Sequence, residues 1–117
     1  MANGNRKLKA LFKLSHKVSV YIPSNSQGMG FDNTVQVDRA LTFLASECGG
    51  STSTQAVGCW LSVAGGLVKE NVTLVFAYRK DLDTTFVDKL VDYALNLREE
   101  LHQESVAVEV DGEMYFV

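Results

Sequence analysis

The stretch LVKENVTLVFAY, residues 67 to 78, alternates with a period of two and is apolar on both sides. Val72, Leu74, Phe76 and Tyr78 fall on one face, and Thr73, Val75 and Ala77 fall on the other. A half-buried strand would read apolar on one face only, so this one belongs at the centre of a sheet or under cover on both sides. The rest of the chain has to supply that cover.

Just upstream, STSTQAVGCWLSV (51–63) is polar at its start and apolar at its end, and Ala64-Gly65-Gly66 joins it to the first strand as a hairpin. Lys17 to Ile22, closed by Pro23, is a further strand with Val18, Val20 and Ile22 on one side. A loop from Ser24 to Asn33 leads into a helix that ends near Cys48. Its stripe is Val37, Ala40, Leu41, Leu44 and Ala45, at helical spacing. Asn33 with Gln36 has the spacing of a capping box, and Gly49-Gly50 offers a left-handed stop. A second helix runs from Asp83-Thr84 to about His102, with Phe86, Leu90, Ala94, Leu97 and Leu101 inward. SVAVEV and EMYFV then flank Asp111-Gly112, a strong two-residue hairpin signal. The order is β-α-β-β-α-β with one extra C-terminal strand. It predicts an α+β, ferredoxin-like split βαβ fold, an antiparallel sheet with both helices on one face. Such a sheet leaves its second face open, so two-sided apolar strands predict a homo-oligomer assembled through that face.

The domain so defined is 17–117, preceded by an arm, 1–16. Arg6, Lys7, Lys9, Lys13 and Lys17 fall in the first 17 residues without an acid, and the remaining 100 hold six basic residues against fourteen acidic ones. A basic arm on an acidic body can touch nucleic acid, dock on the acidic face of a neighbouring copy, or stay solvated. Residues 6–16 fit both a helical stripe and an alternating one, and an extended arm is the expectation. No apolar run approaches the roughly 18 residues of a membrane-spanning helix, and the N-terminus lacks a signal-peptide pattern. Cys48 and Cys59, without close spacing, read as free buried thiols in a cytoplasmic protein, a single disulfide between them being the alternative.

Candidate chemistry is sparse. The order strand, Gly28-Met29-Gly30, helix approaches a dinucleotide fingerprint. The third glycine is Asn33, however, and the strands that follow form a hairpin, so no Rossmann unit results. What survives is a loop, Ser24, Asn25, Ser26 and Gln27, able to hold an anion or nucleotide near a helix start. His16 and His102 stand at no metal-ligand spacing, so neither a metal nor a cofactor is expected. His102 with Glu104 has the look of a base and its orienter, yet a helix end attracts histidine for its charge alone. Cys59 lies on a strand with nothing to lower its pKa, and core packing is its plainer reading. Trp60 is a core residue or a flat wall for a ring. Glu70, beside Lys69 in an apolar strand, is a register-setting surface charge or an acid turned toward a ligand. Paired carboxylates, a serine elbow, a phosphate-loop lysine and CxxC are all absent from the sequence.

The segments GGSTSTQAVGCW, GGLVKENVTLVFAY and QESVAVEVDGEMYF carry a recognisable pattern. It comprises Gly49-Gly50-Ser51-Thr52, then Gly58 and Trp60, then Glu70, then Gln103-Glu104-Ser105. The chain from about residue 17 onward resembles a group of small uncharacterised bacterial, plasmid and phage proteins with these motifs. The resemblance implies a mobile-element setting and no particular activity; its site, if those positions form one, would comprise Trp60, Glu70 and Gln103.

The function expected is that of a small oligomeric binding protein holding a polar or nucleotide-like ligand, without catalysis. The loop 24–27 with Trp60, Glu70 and Gln103 would form its site. Two other readings stand beside it: an adaptor for nucleic acid or protein through the basic arm, and a small enzyme with His102 or Glu70 as base.

Overall fold

Val18, Val20 and Ile22 are fully buried, and their alternation sets the inner face of the strand they occupy. That strand is the middle of a sheet in the computed structural model, which describes residues 4–26 and 29–117. A one-turn helix α1 (Arg6–Lys9) precedes β1 (His16–Pro23), the two-residue strands β2 (Asn25–Ser26) and β3 (Met29–Gly30), and α2 (Thr34–Cys48). There follow β4 (Thr52–Leu61), β5 (Leu67–Arg79), α3 (Thr84–Glu100), β6 (Ala107–Val110) and β7 (Glu113–Phe116). Five strands form one sheet in the order β4-β5-β1-β6-β7, every ladder antiparallel. This is the ferredoxin-like α+β arrangement with the extra C-terminal strand, as the element order predicts.

Partners in register share a face, so Val18, Val20 and Ile22 line up with Ala77, Val75 and Thr73 of β5, and Val20 with Val108 of β6. Ala40 and Leu44 of α2 and Phe86, Leu90, Ala94 and Leu97 of α3 are buried in the same core cluster. Truncating any large member to alanine removes on the order of 2–5 kcal/mol, because a close-packed interior leaves a cavity instead of collapsing.

Helix ends fit around this core, with one correction. Asp83 caps α3, its Oδ1 accepting from the Phe86 N–H at 2.8 Å, and that hydrogen bond holds its carboxyl below the usual aspartate range. At the other end Gln103 N–H donates to Arg98 O and His102 N–H to Glu99 O, the double closure in which one residue goes left-handed. Here that residue is His102, at φ 52, where glycine is more usual. Gly49, at φ 88, closes α2 as expected. Asn33, however, makes no side-chain cap. Its Nδ2 donates to the carbonyls of Ile22 and Pro23 and to Thr73 Oγ1, tying the helix start to β1 and β5. Asp32 takes over the cap, accepting from the Thr34 N–H at 2.9 Å, while Gln36 Nε2 donates to Glu100.

Two segments leave the compact body. The β1–β5 ladder stops at Pro23 opposite Val72, yet β4 and β5 stay paired out to Leu61 opposite Leu67. From Val57 and Asn71 outward the hairpin is a bare two-stranded ribbon. The second segment is the arm: residues 4–15 are all exposed. Its start is helical instead of extended, because Asn5 Oδ1 accepts from the N–H groups of Lys7 and Leu8 and so nucleates a turn. Both projections show in a radius of gyration of 16.2 Å, against about 13 Å for a compact chain of this size.

The ribbon also corrects two core assignments. Cys59 is exposed and Trp60 keeps 52% of its surface in solvent, since no third strand lies beside them. Cys48, at the end of α2, is half-buried, and burial pushes its thiol up from the ordinary value.

Candidate functional site

The helices occupy the face that carries Val18, Val20 and Ile22, so the opposite face can be read from the register. It presents Thr54, Ala56, Gly58 and Trp60 from β4, and Val68, Glu70, Val72, Leu74, Phe76 and Tyr78 from β5. β1 contributes Lys17, Ser19 and Tyr21, and β7 contributes Met114 and Phe116. The surface is an apolar and aromatic strip, which is why residues 67–78 read apolar on both sides.

On β5 one carboxylate interrupts it, while Glu109 of β6, in register with Ser19 and Met114, puts a second near the opposite edge. Among the described residues of β4 and β5, Glu70 is the sole charged side chain on this face, and it is half-buried. Its register partner is Gly58, which has no side chain to fill the space across the ladder. Trp60, opposite Val68, stands one diagonal step away on the same face. A negative charge in apolar surroundings next to an aromatic ring is a favourable setting for a compact, weakly hydrated cation, because both the charge and the ring quadrupole attract it. At the other end of the strip, Lys17 Nζ lies 4.8 Å from the Phe76 ring centre and 5.9 Å from that of Tyr78. This end therefore supplies a positive group over two aromatic rings.

The loop residues form a separate group. Ser24 Oγ donates to Asn71 O at 2.9 Å, and Phe31 N–H donates back to Ser24 O. Gln103 Nε2 donates to Asn25 O at 3.1 Å and to Leu101 O at 3.0 Å, holding the loop against the end of α3. Gln27, Gly28 and the side chain of Ser26 lie outside the described residues. Asn71 follows Glu70 and so faces away from it. The fold thus brings Trp60 and Glu70 together on the open face and Ser24, Asn25 and Gln103 together at the ribbon's root.

His102 and Glu104 are exposed, and His102 is committed by its backbone to the helix end. Ser51 Oγ donates to Leu41 O at 2.7 Å, so the serine of the Gly-Gly-Ser-Thr motif secures the α2–β4 turn. Sequence reasoning assigned Lys17 to the basic arm and passed over Tyr21; the register puts both on the open face. Their alternation with Val18 and Val20 was the available signal, since it puts them on the face the helices do not cover.

No protein-family model matches the sequence, and no curated protein matches it. Two solved structures resemble it along nearly the whole chain. A phage SAM lyase in complex with S-methyl-5'-thioadenosine superposes with a TM-score of 0.67 at 18% identity, over 92% of this chain and 94% of that one. A phage SAM lyase in the apo state gives a TM-score of 0.67 at 19% identity, over 89% of each chain. At this identity the likeness is one of fold.

Proposed function

We propose that this chain binds a sulfonium nucleoside of the S-adenosylmethionine class on the open face of its sheet and cleaves it as a lyase. The observation that carries the reading is the pairing of Glu70 with Trp60 on the β4–β5 part of the open face, which holds no other charge. A trivalent sulfonium is a compact cation, and a carboxylate with an aromatic plane is the donor set that suits it. The fold shared with a phage SAM lyase supports the same substrate class, as does the resemblance to phage and plasmid proteins.

The chemistry also fits a chain without a nucleophile–base pair. A sulfonium carries its own leaving group: the bond between sulfur and the aminobutyryl carbon breaks, the bonding pair goes to sulfur, and a neutral thioether departs. Either the substrate's own carboxylate closes on that carbon to give a lactone, or a proton leaves the neighbouring carbon to give an alkene. No water is consumed in either route. Glu70 holds the cation and, in the second route, accepts the proton. The protein's task is to strip water from a charged substrate and hold it bent, which an apolar strip does.

Assembly through the open face belongs to this reading, because a second copy would close the strip over a ligand and complete the cover that β5 calls for. Incubating purified protein with S-adenosylmethionine, with chromatography for S-methyl-5'-thioadenosine, tests it directly. Accumulation of the thioether, lost in Glu70→Gln, supports the lyase. Saturable binding without product leaves a sequestering protein on the same site. Neither binding nor product overturns the reading.

A further inference from the structure

A groove of about 670 Å³ lies between α3 and the C-terminal hairpin, lined by Val87, Val91, Leu95, Val110, Tyr115 and Phe116 among others. It lies at the β6–β7 edge, whereas Glu70 stands on β5 beyond the end of the β1 ladder, and Phe116 is the one residue it shares with the open face as described above. Its floor is apolar and its rim is acidic. Asp88, Asp92 and Glu99, all exposed, lie one step round α3 from Val91 and Leu95. Glu113 stands on β7, its Oε2 accepting from the Tyr115 hydroxyl at 3.1 Å. Arg98 is the base on that side, and Glu99 already pairs with it at 3.0 Å.

The arm has the complementary chemistry. Leu8, Leu11 and Phe12 project into solvent, Phe12 at 81% exposure, among Arg6, Lys7, Lys9 and Lys13 with no acid between them. Exposed leucine and phenylalanine clustered on a cationic turn call for an apolar partner with a negative rim. The chain's own groove is badly placed to serve. Leu14 sits beside Phe76, Tyr78 and the Gly49–Gly50 turn, toward the β4 edge, whereas the groove lies at the β6–β7 edge across β1. Leu14 thus turns the arm toward the β4 edge, although His16 at its root pairs with Asp111 of the β6–β7 turn.

We infer that the arm of one copy docks in the α3–β7 groove of a second copy. Leu8, Leu11 and Phe12 fill the apolar floor, and Arg6, Lys7, Lys9 and Lys13 face Asp88, Asp92, Glu99 and Glu113. The interface is heterologous, arm to groove, so it links copies head to tail and closes into a ring if the rotation allows.

The test is a cross-link between chains. In a Cys59→Ser background, a tagged chain bearing Phe12→Cys is co-expressed with a differently tagged chain bearing Val91→Cys, and both are mildly oxidised. A disulfide-linked pair carrying both tags is the expected result, with its yield cut at least fivefold when Asp88→Lys and Asp92→Lys are added to the groove chain. Absence of that pair overturns the inference. So does a link formed only within one chain that carries both cysteines, since that would seat the arm in its own groove. Arm-dependent binding to phosphatidylglycerol vesicles without the cross-link would likewise overturn it in favour of a membrane surface. Both substituted positions are exposed, and an unchanged thermal midpoint confirms that each variant folds.

Discussion

The two faces of the sheet contain much the same residue types and treat them in opposite ways. On the helix side, Val18, Val20 and Val75 are sealed under α2 and α3. On the other side and out along the ribbon, Trp60, Leu61, Leu67 and Tyr78 are all exposed. The first face closes within one chain; the second keeps aromatic and aliphatic surface, and the Glu70 carboxylate, unspent. Residues on the first should answer in stability when altered, and residues on the second in ligand handling. Each experiment that follows tests whether that division holds.

The largest effect belongs to the sealed face. Leu90→Ala should lower unfolding free energy by about 3 kcal/mol or more, read from denaturant titration, because it opens a cavity between α3 and the sheet. Trp60→Ala should cost the isolated chain less than about 1 kcal/mol, as expected of a side chain without a third strand beside it. Comparable losses from both would erase the division. Next comes Glu70→Gln, expected to reduce turnover of S-adenosylmethionine roughly a hundredfold while leaving the melting temperature in place. A fall in stability with activity retained would move Glu70 to the structural side.

Smaller effects refine the body itself. Asp83→Ala removes the α3 cap and should lower the thermal midpoint measurably, by less than Leu90→Ala does. Acid should then act on the carboxyls of Asp32, Asp83 and Asp111 together. Asp32 is held below the ordinary value mainly by its hydrogen bonds from Thr34, Asp83 by the Phe86 N–H, and Asp111 by the His16 ring and the Lys17 N–H. A depressed folded-state pKa stabilises the protein above the unfolded value, and that stability is lost as pH falls through the folded one. The melting temperature should therefore hold steady from neutrality and drop below about pH 4. Asp111→Asn should flatten part of that drop.

Much of this architecture was legible in the residues because its local signals agree with its packing. Period-two alternation, two helical stripes, the Gly49 stop and the Asp111-Gly112 turn each point to the element observed. Asn33 misled, because its side chain fits a cap equally well and only the tertiary fold brings the carbonyls of Ile22 and Pro23 within reach. Cys59 and Trp60 misled for the converse reason. A strand pattern reports that two faces differ, and it is silent on how many neighbours the strand will have, so a ribbon running past its sheet reads like a core strand. Trp60 and Glu70 could be named from sequence; that they share a face required the register, since a shift of one residue would have separated them.

Thr52 to Leu61 contains no lysine, arginine, aspartate or glutamate, and β4 is one of the two edge strands of the sheet. Natural sheets commonly guard such a border with charge, because unpaired backbone groups recruit any extended chain they meet. Leaving it bare has a consequence for biogenesis. From the moment β4 leaves the ribosome, this chain is in a race between orderly association and indiscriminate stacking. Its yield should therefore track synthesis rate and temperature more steeply than the stability of its core would indicate.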